Sequence, residues 1–487
     1  MTKKIFYSFI TLFFLVINYS VSTVKESFFE RLLFFLLFVA LFYFFSFIDL
    51  RKIFLLLTGI ISPIIFSYGI IQKYILFPIY LKGMDTGISS VSKAFKGRIE
   101  SGRIFSIFSL PTLYALVCAV LLIAIVHYIL NSKSVGARSF WIILGLAGIF
   151  NLFLTQSFAG ILYLLAGFPI YFYLTGRSNF KFLIPLLMII SVFLFIFIGL
   201  RFSEAKKLDP IKLRVSNWTQ AFRMLRDNPI SGIGIGNYEA KVTEFTNPGE
   251  AHSIYAHNFI LQIAAEGGIA FLFIGLSLLI LFRKRLKPEF NNENALYISI
   301  LFIIILYNLI DIGLYFFSAS LIFSLIISQI YRKRGPLPKS AVMIVFILLI
   351  PQLIISISSG IRRTGSFHLN FNRIDKAEKY FRSSLRYNRF NHRSLLGLAK
   401  TSYAKGDIDR SNYYLGKVIE MNRLSPYAHY LKSRILYIKK NYLSSFYHAG
   451  KARSLNKINI EYKKWFDFIR TNFSANLSSI TKNAGDA

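Results

Sequence analysis

Eleven apolar runs follow one another in the first 360 residues: 5–21, 32–48, 53–76, 104–130, 140–154, 159–174, 182–200, 258–282, 296–311, 314–330 and 341–359. A helix needs about 20 consecutive apolar residues to cross the hydrocarbon of a bilayer. Strands of a membrane barrel would instead alternate over about ten. The runs therefore predict an all-α, polytopic membrane protein with about 11 transmembrane helices. Composition agrees: 16% of the 487 residues are charged, against about 25% in soluble chains. The first run reads as a retained span and not a cleaved signal peptide, because the second follows at once. The single cysteine, Cys118, lies inside an apolar run. It excludes a disulfide framework and a multi-cysteine metal site.

Charge placement gives the orientation. Lys3-Lys4, Arg51-Lys52, Lys133 and Arg138, Arg177 and Lys181, Arg283-Lys284-Arg285 and Arg332-Lys333-Arg334 all fall on one side if the spans alternate. That side is predicted to be cytoplasmic, which puts 82–103, 201–257 and everything after 360 outside. Asp311, between two short runs, is the pivot of this parity: a single span over 296–330 would reverse the C-terminal part. Of the net charge of +34, half is spread among the membrane loops and half lies after residue 360, which points to anionic lipid headgroups and not to nucleic acid.

Residues 1–360 and 361–487 form two predicted domains. The second holds 25 basic and 8 acidic residues and repeats every 34: Asp375 and Asp409, Tyr403 and Tyr437, and Asn388, Asn422 and Asn456. Small residues recur at Ala377, Ala399, Ser411, Ser433 and Ser445, and Gly406-Asp407 marks a turn between two helices. This pattern resembles tetratricopeptide repeats, stacked helix pairs that bury their apolar faces only against neighbours. Such a surface suits a partner protein. Asp407-Ile408-Asp409 has the spacing of a metal-binding DxD, but its place in a repeat turn favours a structural role.

The only long polar interval within the apolar block is 201–257. Its first part carries seven Lys or Arg and two acids between Arg201 and Arg226. Residues 213–225 read as an amphipathic helix with Trp218, Phe222 and Leu225 on one stripe. Arg214, four residues before Trp218, shares that side and can fork onto a phosphate or contact lipid headgroups. Asn228-Pro229 ends the helix. Gly232, Gly234 and Gly236 follow with no βαβ unit around them, so they read as a tight turn through which backbone approaches a substrate or another segment. His257-Asn258 then opens an apolar run that contains Glu266. A histidine is the side chain best placed to exchange protons near neutrality, and a carboxylate within a span is a functional candidate.

These residues resemble the core of the O-antigen ligase and O-antigen polymerase superfamily. The segment PISGIGIGNY matches its glycine-rich signature; His257, Asn258, nine residues and Gly268 match its His-Asn element, with Phe271 departing at the last place. GRIFSIFSLPTLYA (102–115) and LTQSFAG (154–160) match two further segments, with Phe158 where the family carries arginine. The resemblance spans about residues 1–360. It implies a glycosyltransferase in the bacterial inner membrane that needs no metal or cofactor. Glycan would pass from undecaprenyl diphosphate, at the periplasmic face, to a hydroxyl of lipid A core, of a second glycan or of a protein. Within that implication His257 accepts the acceptor proton, with His252 in reserve. Glu266 orients the histidine or binds acceptor sugar, and Arg214, Arg201 and Arg103 bind the diphosphate. A transporter of lipid-linked glycan is the competing reading. It requires mid-membrane charges and repeated spans, neither of which the sequence shows.

Overall fold

The computed structural model describes residues 3–85, 97, 99–108, 110–176, 192, 210–283, 292–315, 317–333 and 335–485. All regular structure among them is helical. The membrane part consists of α1 (Lys3–Val21), α2 (Lys25–Phe45), α3 (Arg51–Ile71), a π-helical turn (Gln72–Leu76) leading into α4 (Phe77–Asp85), α5 (Pro111–Asn131), α6 (Val135–Leu154) and α7 (Phe158–Leu174). After α8 (Pro210–Asp227) come α9 (Phe259–Arg283), α10 (Asn292–Ile310), α11 (Phe317–Ile330) and α12 (Lys339–Asn370). Ten of the eleven predicted spans coincide with these helices; the eleventh, 182–200, lies outside the described residues. Among the described residues, six helices are long and apolar enough to cross a bilayer by themselves. The molecule is an all-α polytopic membrane protein.

The centre is α5. Its window is 72% buried, and Tyr114, Ala115, Cys118, Ala119, Ile123 and Ala124 are wholly buried against α6, α7 and α10. One end of the bundle gathers charge: Arg51 pairs with Glu293, and Arg332 Nη1 with Asp49 Oδ2 at 2.8 Å. The other end gathers the α1–α2 turn, residues 228–258 and Asp311. The helices α10 and α11 are separate, joined by a 3-10 turn at Gly313–Tyr315, so 296–330 is a pair and not one span.

Two predicted helix boundaries move, and one helix runs through residue 360. α5 begins at Pro111, not at 104, because Leu110 precedes proline and is extended (φ −138°, ψ 142°), as the proline ring dictates. The run 258–282 is not one helix: Gly268 (φ 71°, ψ −178°) breaks it. The domain boundary at 360 falls inside α12, which continues unbroken to Asn370.

Beyond it lie α13 (Ile374–Tyr387), α14 (His392–Ala404), α15 (Ile408–Met421), α16 (Pro426–Ile438), α17 (Tyr442–Leu455) and α18 (Ile460–Gly485). α12, α14 and α16 end at 370, 404 and 438, steps of 34 residues, so the last span doubles as the first helix of the stack. Four successive junctions, from α13–α14 to α16–α17, are closed by a local cap: Asn391, Asp407, Ser425 and Asn441 accept backbone N–H groups of the following turn. Asp407 is thus a cap, and Asp409 pairs with Lys439. Phe381 packs against Gly365 and Gly397, where any Cβ would meet its ring.

Candidate functional site

Within the polar interval, residues 228–257 fold as one unit beneath α8. Its buried face is Asn217, Gln220, Ala221 and Met224, and not the predicted Trp218, Phe222 and Leu225; Phe222 is 60% exposed. The reason is what the helix packs on. A closely apposed backbone, residues 251–257, takes small and polar side chains: Ser216 Oγ and Gln220 Nε2 donate to Ala251 O at 2.8 and 3.0 Å. Trp218 Nε1 donates to His257 O at 3.3 Å.

The glycine turn meets other protein segments. Gly232, Gly234 and Gly236 have φ of 62°, 98° and 75°, a region that L side chains adopt only with strain. A Cβ on Gly232 would fall on the Glu266 carbonyl, and one on Gly236 would lie 2.6 Å from Ser27 O. The turn thereby reaches the break in α9: Ile233 N donates to Ala265 O and Gly234 N to Glu266 O, both at 2.9 Å, and Ile269 N to Pro229 O at 2.8 Å. These bonds take up the helical groups that Gly268 frees. Buried Asn18 on α1 completes the joint, bonding Ser231 O, Glu266 O and Ile235 N.

Glu266 itself is wholly buried and saturated. It accepts Gly236 N (3.0 Å), Tyr238 N (3.3 Å), Gln262 Nε2 (2.9 Å) and Tyr315 OH (2.7 Å). Arg31 stacks 3.7 Å from the Tyr315 ring centroid.

His257 sits at φ 52°, an uncommon conformation for a residue with a Cβ and one that recurs at functional positions. The carboxylate beside it belongs to Asp311: His257 Nδ1 lies 3.0 Å from Asp311 Oδ1. Asp311 also accepts Thr112 Oγ1 at 3.1 Å and Ile312 N at 3.0 Å. An ionised carboxylate only accepts, so Nδ1 carries the proton and Nε2 offers its lone pair. Ser253 Oγ fills that position at 3.1 Å. Asn258 locks the arrangement: its Oδ1 accepts Leu261 N at 2.9 Å, capping α9, and its Nδ2 donates to Leu309 O at 2.8 Å, close to Asp311 in the chain. The histidine side chain remains 23% exposed.

Of the predicted cations, Arg214 stands within electrostatic reach of Asp311, Tyr163 and Tyr307. Arg103 donates to Thr155 O at 3.0 Å, at the α6–α7 turn. Arg201 lies outside the described residues. Three residues enter the site that the sequence reading did not assign to it: Asp311, Ser253 and Asn217, whose buried amide has no hydrogen-bond partner among the described residues.

Away from the dyad, Arg223 forks onto Glu250 with two bonds of 2.7 Å. This holds the Glu250 carboxyl down to about 2, chiefly through the arginine bonds. A carboxyl depressed on folding stabilises the fold above its unfolded value of about 4.3 and loses that contribution as pH falls toward the folded value. Hydrogen exchange of 216–250, taken relative to the intrinsic amide rate at each pH, is therefore expected to rise as pH falls from about 4.5 to about 2.5 in the wild type. In Glu250→Gln it should be high already at about pH 6; a pH-independent wild type would refute the assignment.

Residues 142–280 match the family model described as O-Antigen ligase. The match runs from within α6 to near the end of α9, taking in Arg214, the glycine turn and His257 and leaving out Asp311. No curated protein matches the chain.

Proposed function

We propose that this chain, which carries a domain of the O-antigen ligase superfamily at residues 142–280, transfers glycan from undecaprenyl diphosphate to an acceptor hydroxyl at the periplasmic face of the inner membrane. O-antigen ligase or polymerase activity is the general function of that superfamily. The observation that carries it is His257, held by Asp311 with its Nε2 lone pair turned to a hydroxyl.

Ser253 Oγ occupies the place an acceptor hydroxyl takes. Ser253 is a poor nucleophile for this chemistry, since a seryl glycoside would have an alkoxide as its leaving group in any second step. It is a stand-in that the acceptor displaces. His257 Nε2 then takes the hydroxyl proton as the acceptor oxygen bonds to the anomeric carbon and the bond from that carbon to the diphosphate oxygen breaks. Asp311 stabilises the imidazolium. Arg214 is the cation assigned to the departing diphosphate, with Arg103 and, on the sequence alone, Arg201 as further candidates. The leaving group carries its own activation, so the reaction asks for no metal.

Complementation of a deletion strain tests this and names the acceptor. Wild-type chain restores one surface product, whether lipopolysaccharide, polysaccharide or glycoprotein; His257→Ala and Arg214→Ala, present in the membrane at normal levels, do not. Full product from His257→Ala overturns the proposal.

A further inference from the structure

The helical stack after α12 does more than project from the membrane: it is bonded to the loop that carries the site. Glu26, in the first turn of α2, has a side chain only 13% exposed. It accepts His392 Nδ1 at 2.7 Å, His392 N at 3.4 Å and Asn388 Nδ2 at 3.3 Å, all from the start of α14 and the turn before it. The next residue, Arg393, pairs with Glu239 on the helical turn directly after the glycine segment. Farther along, Thr243 Oγ1 donates to Leu455 O at 2.6 Å, at the end of α17. Three contacts, from α2, from 239 and from 243, thus span the stack from the turn before α14 to the end of α17.

The seam is dense in charge of both signs, with Glu26 acting on Glu30 and Arg363 and Arg393 on Arg362 as like charges. Arg31, Arg362 and Arg393 interact with Glu30, Glu239 and Glu266, and Tyr255, two residues before His257, lies within reach of Arg31, Arg393, Glu239 and Glu266. Glu239 follows Tyr238, whose N–H is held by Glu266. The seam and the joint beneath the site therefore share one stretch of backbone. Because α12 is a single helix from the membrane into the stack, the stack cannot swing away without breaking these contacts.

We propose that the stack is a clamp on the catalytic loop, with Glu26 and His392 as its central positioning pair and Arg393–Glu239 and Thr243–Leu455 as flanking contacts. This rests on the glycan-transfer reading for its consequence and for the transfer arm of its test, but not for the exchange arm. The face of the stack that meets the loop is occupied by this chain itself, so an acceptor or partner is left the opposite, outward face.

The test is Glu26→Lys, which puts a cation against His392 and Arg393, with Glu26→Gln as the milder variant that keeps one accepting oxygen. Hydrogen exchange is measured on the full-length protein in nanodiscs, together with transfer in membranes. Exchange at 388–393 and at 236–246 is expected to rise together in Glu26→Lys, while α15–α17 stay protected. Transfer is expected to fall by about tenfold, as for the loss of about 1.4 kcal/mol of positioning, with Glu26→Gln between the two. Exchange that rises only at 388–393, or transfer at the wild-type rate with the seam open, overturns the clamp. The exchange reading needs no turnover, so a wild type that transfers no glycan would count against the function and leave the clamp standing on its own result.

Discussion

Replacing Asp311 with asparagine is expected to lower glycan transfer by about 10²-fold or more while the protein accumulates normally. General acid–base groups contribute about 10²–10⁴-fold, and an orienting carboxylate acts by fixing the tautomer and stabilising the cation. The substituted amide would keep the size, and its oxygen at the Oδ2 position would still accept Thr112 Oγ1, while its NH₂ would take the Oδ1 position that Ile312 N and His257 Nδ1 share. It would no longer demand a proton on His257 Nδ1, because its NH₂ can donate there. The ring could then present N–H at Nε2, where the lone pair is needed. His257→Ala should cost as much or more, and the double variant no more than the worse single one, since residues acting as a unit are not additive. Ser253→Ala is the contrast: if Ser253 only stands in for the acceptor, transfer stays within a few-fold of wild type. The measurement is initial transfer rate in membranes normalised to protein amount. Wild-type rates from Asp311→Asn, or additive losses in the double variant, would remove the dyad from the mechanism.

The bundle was legible because span helices obey one-dimensional rules. Length and apolarity alone located ten apolar helices, six of them long enough to cross a bilayer, and the 34-residue period gave the stacked helices of the C-terminal part. What pattern could not give was where an apolar run stops being helix. The residues on either side of Gly268 are equally apolar, and only the docked glycine turn supplies the carbonyls and N–H groups that make the break tolerable. The start of α5 was within reach, since Leu110-Pro111 already disfavours helix before the proline.

The site was half legible for the same reason. His257 and Asn258 stood out because they are local: one polar pair at the mouth of an apolar run. Asp311 lies 54 residues away and meets His257 only because α9 and α10 run side by side, with Asn258 bonded to Leu309 O. A carboxylate between two spans was the one available signal. In the sequence it served to count spans instead. Glu266 carried a similar signal nearer to the histidine, and its partners in the glycine turn and Tyr315 are just as remote in sequence.

Those partners set the second large effect. Glu266→Ala is expected to destabilise the folded protein by about 3–5 kcal/mol, the range for removing one partner from a buried charged network. That is a large share of a stability of about 5–15 kcal/mol. The carboxylate answers four donors at once, and truncation would strand Gly236 N, Tyr238 N, Gln262 Nε2 and Tyr315 OH, with Arg31 beside them. Glu266 and Tyr238 are buried, so bulk water does not stand ready to replace the lost acceptor. Glu266→Gln tests the point more sharply than alanine. Glutamine has the same shape but offers one accepting oxygen and an NH₂ that faces donors, so it too should unfold the joint, by somewhat less. The glycines on either side of that joint should behave alike: a Cβ on Gly268 would fall on Ile230 O. Melting in detergent and membrane abundance decide the matter. A Glu266→Gln protein that accumulates and melts like wild type yet transfers no glycan would place this carboxylate in the chemistry. One that is lost from the membrane, while Asp311→Asn persists there without activity, divides the two acids: Glu266 builds the loop, and Asp311 works through the histidine.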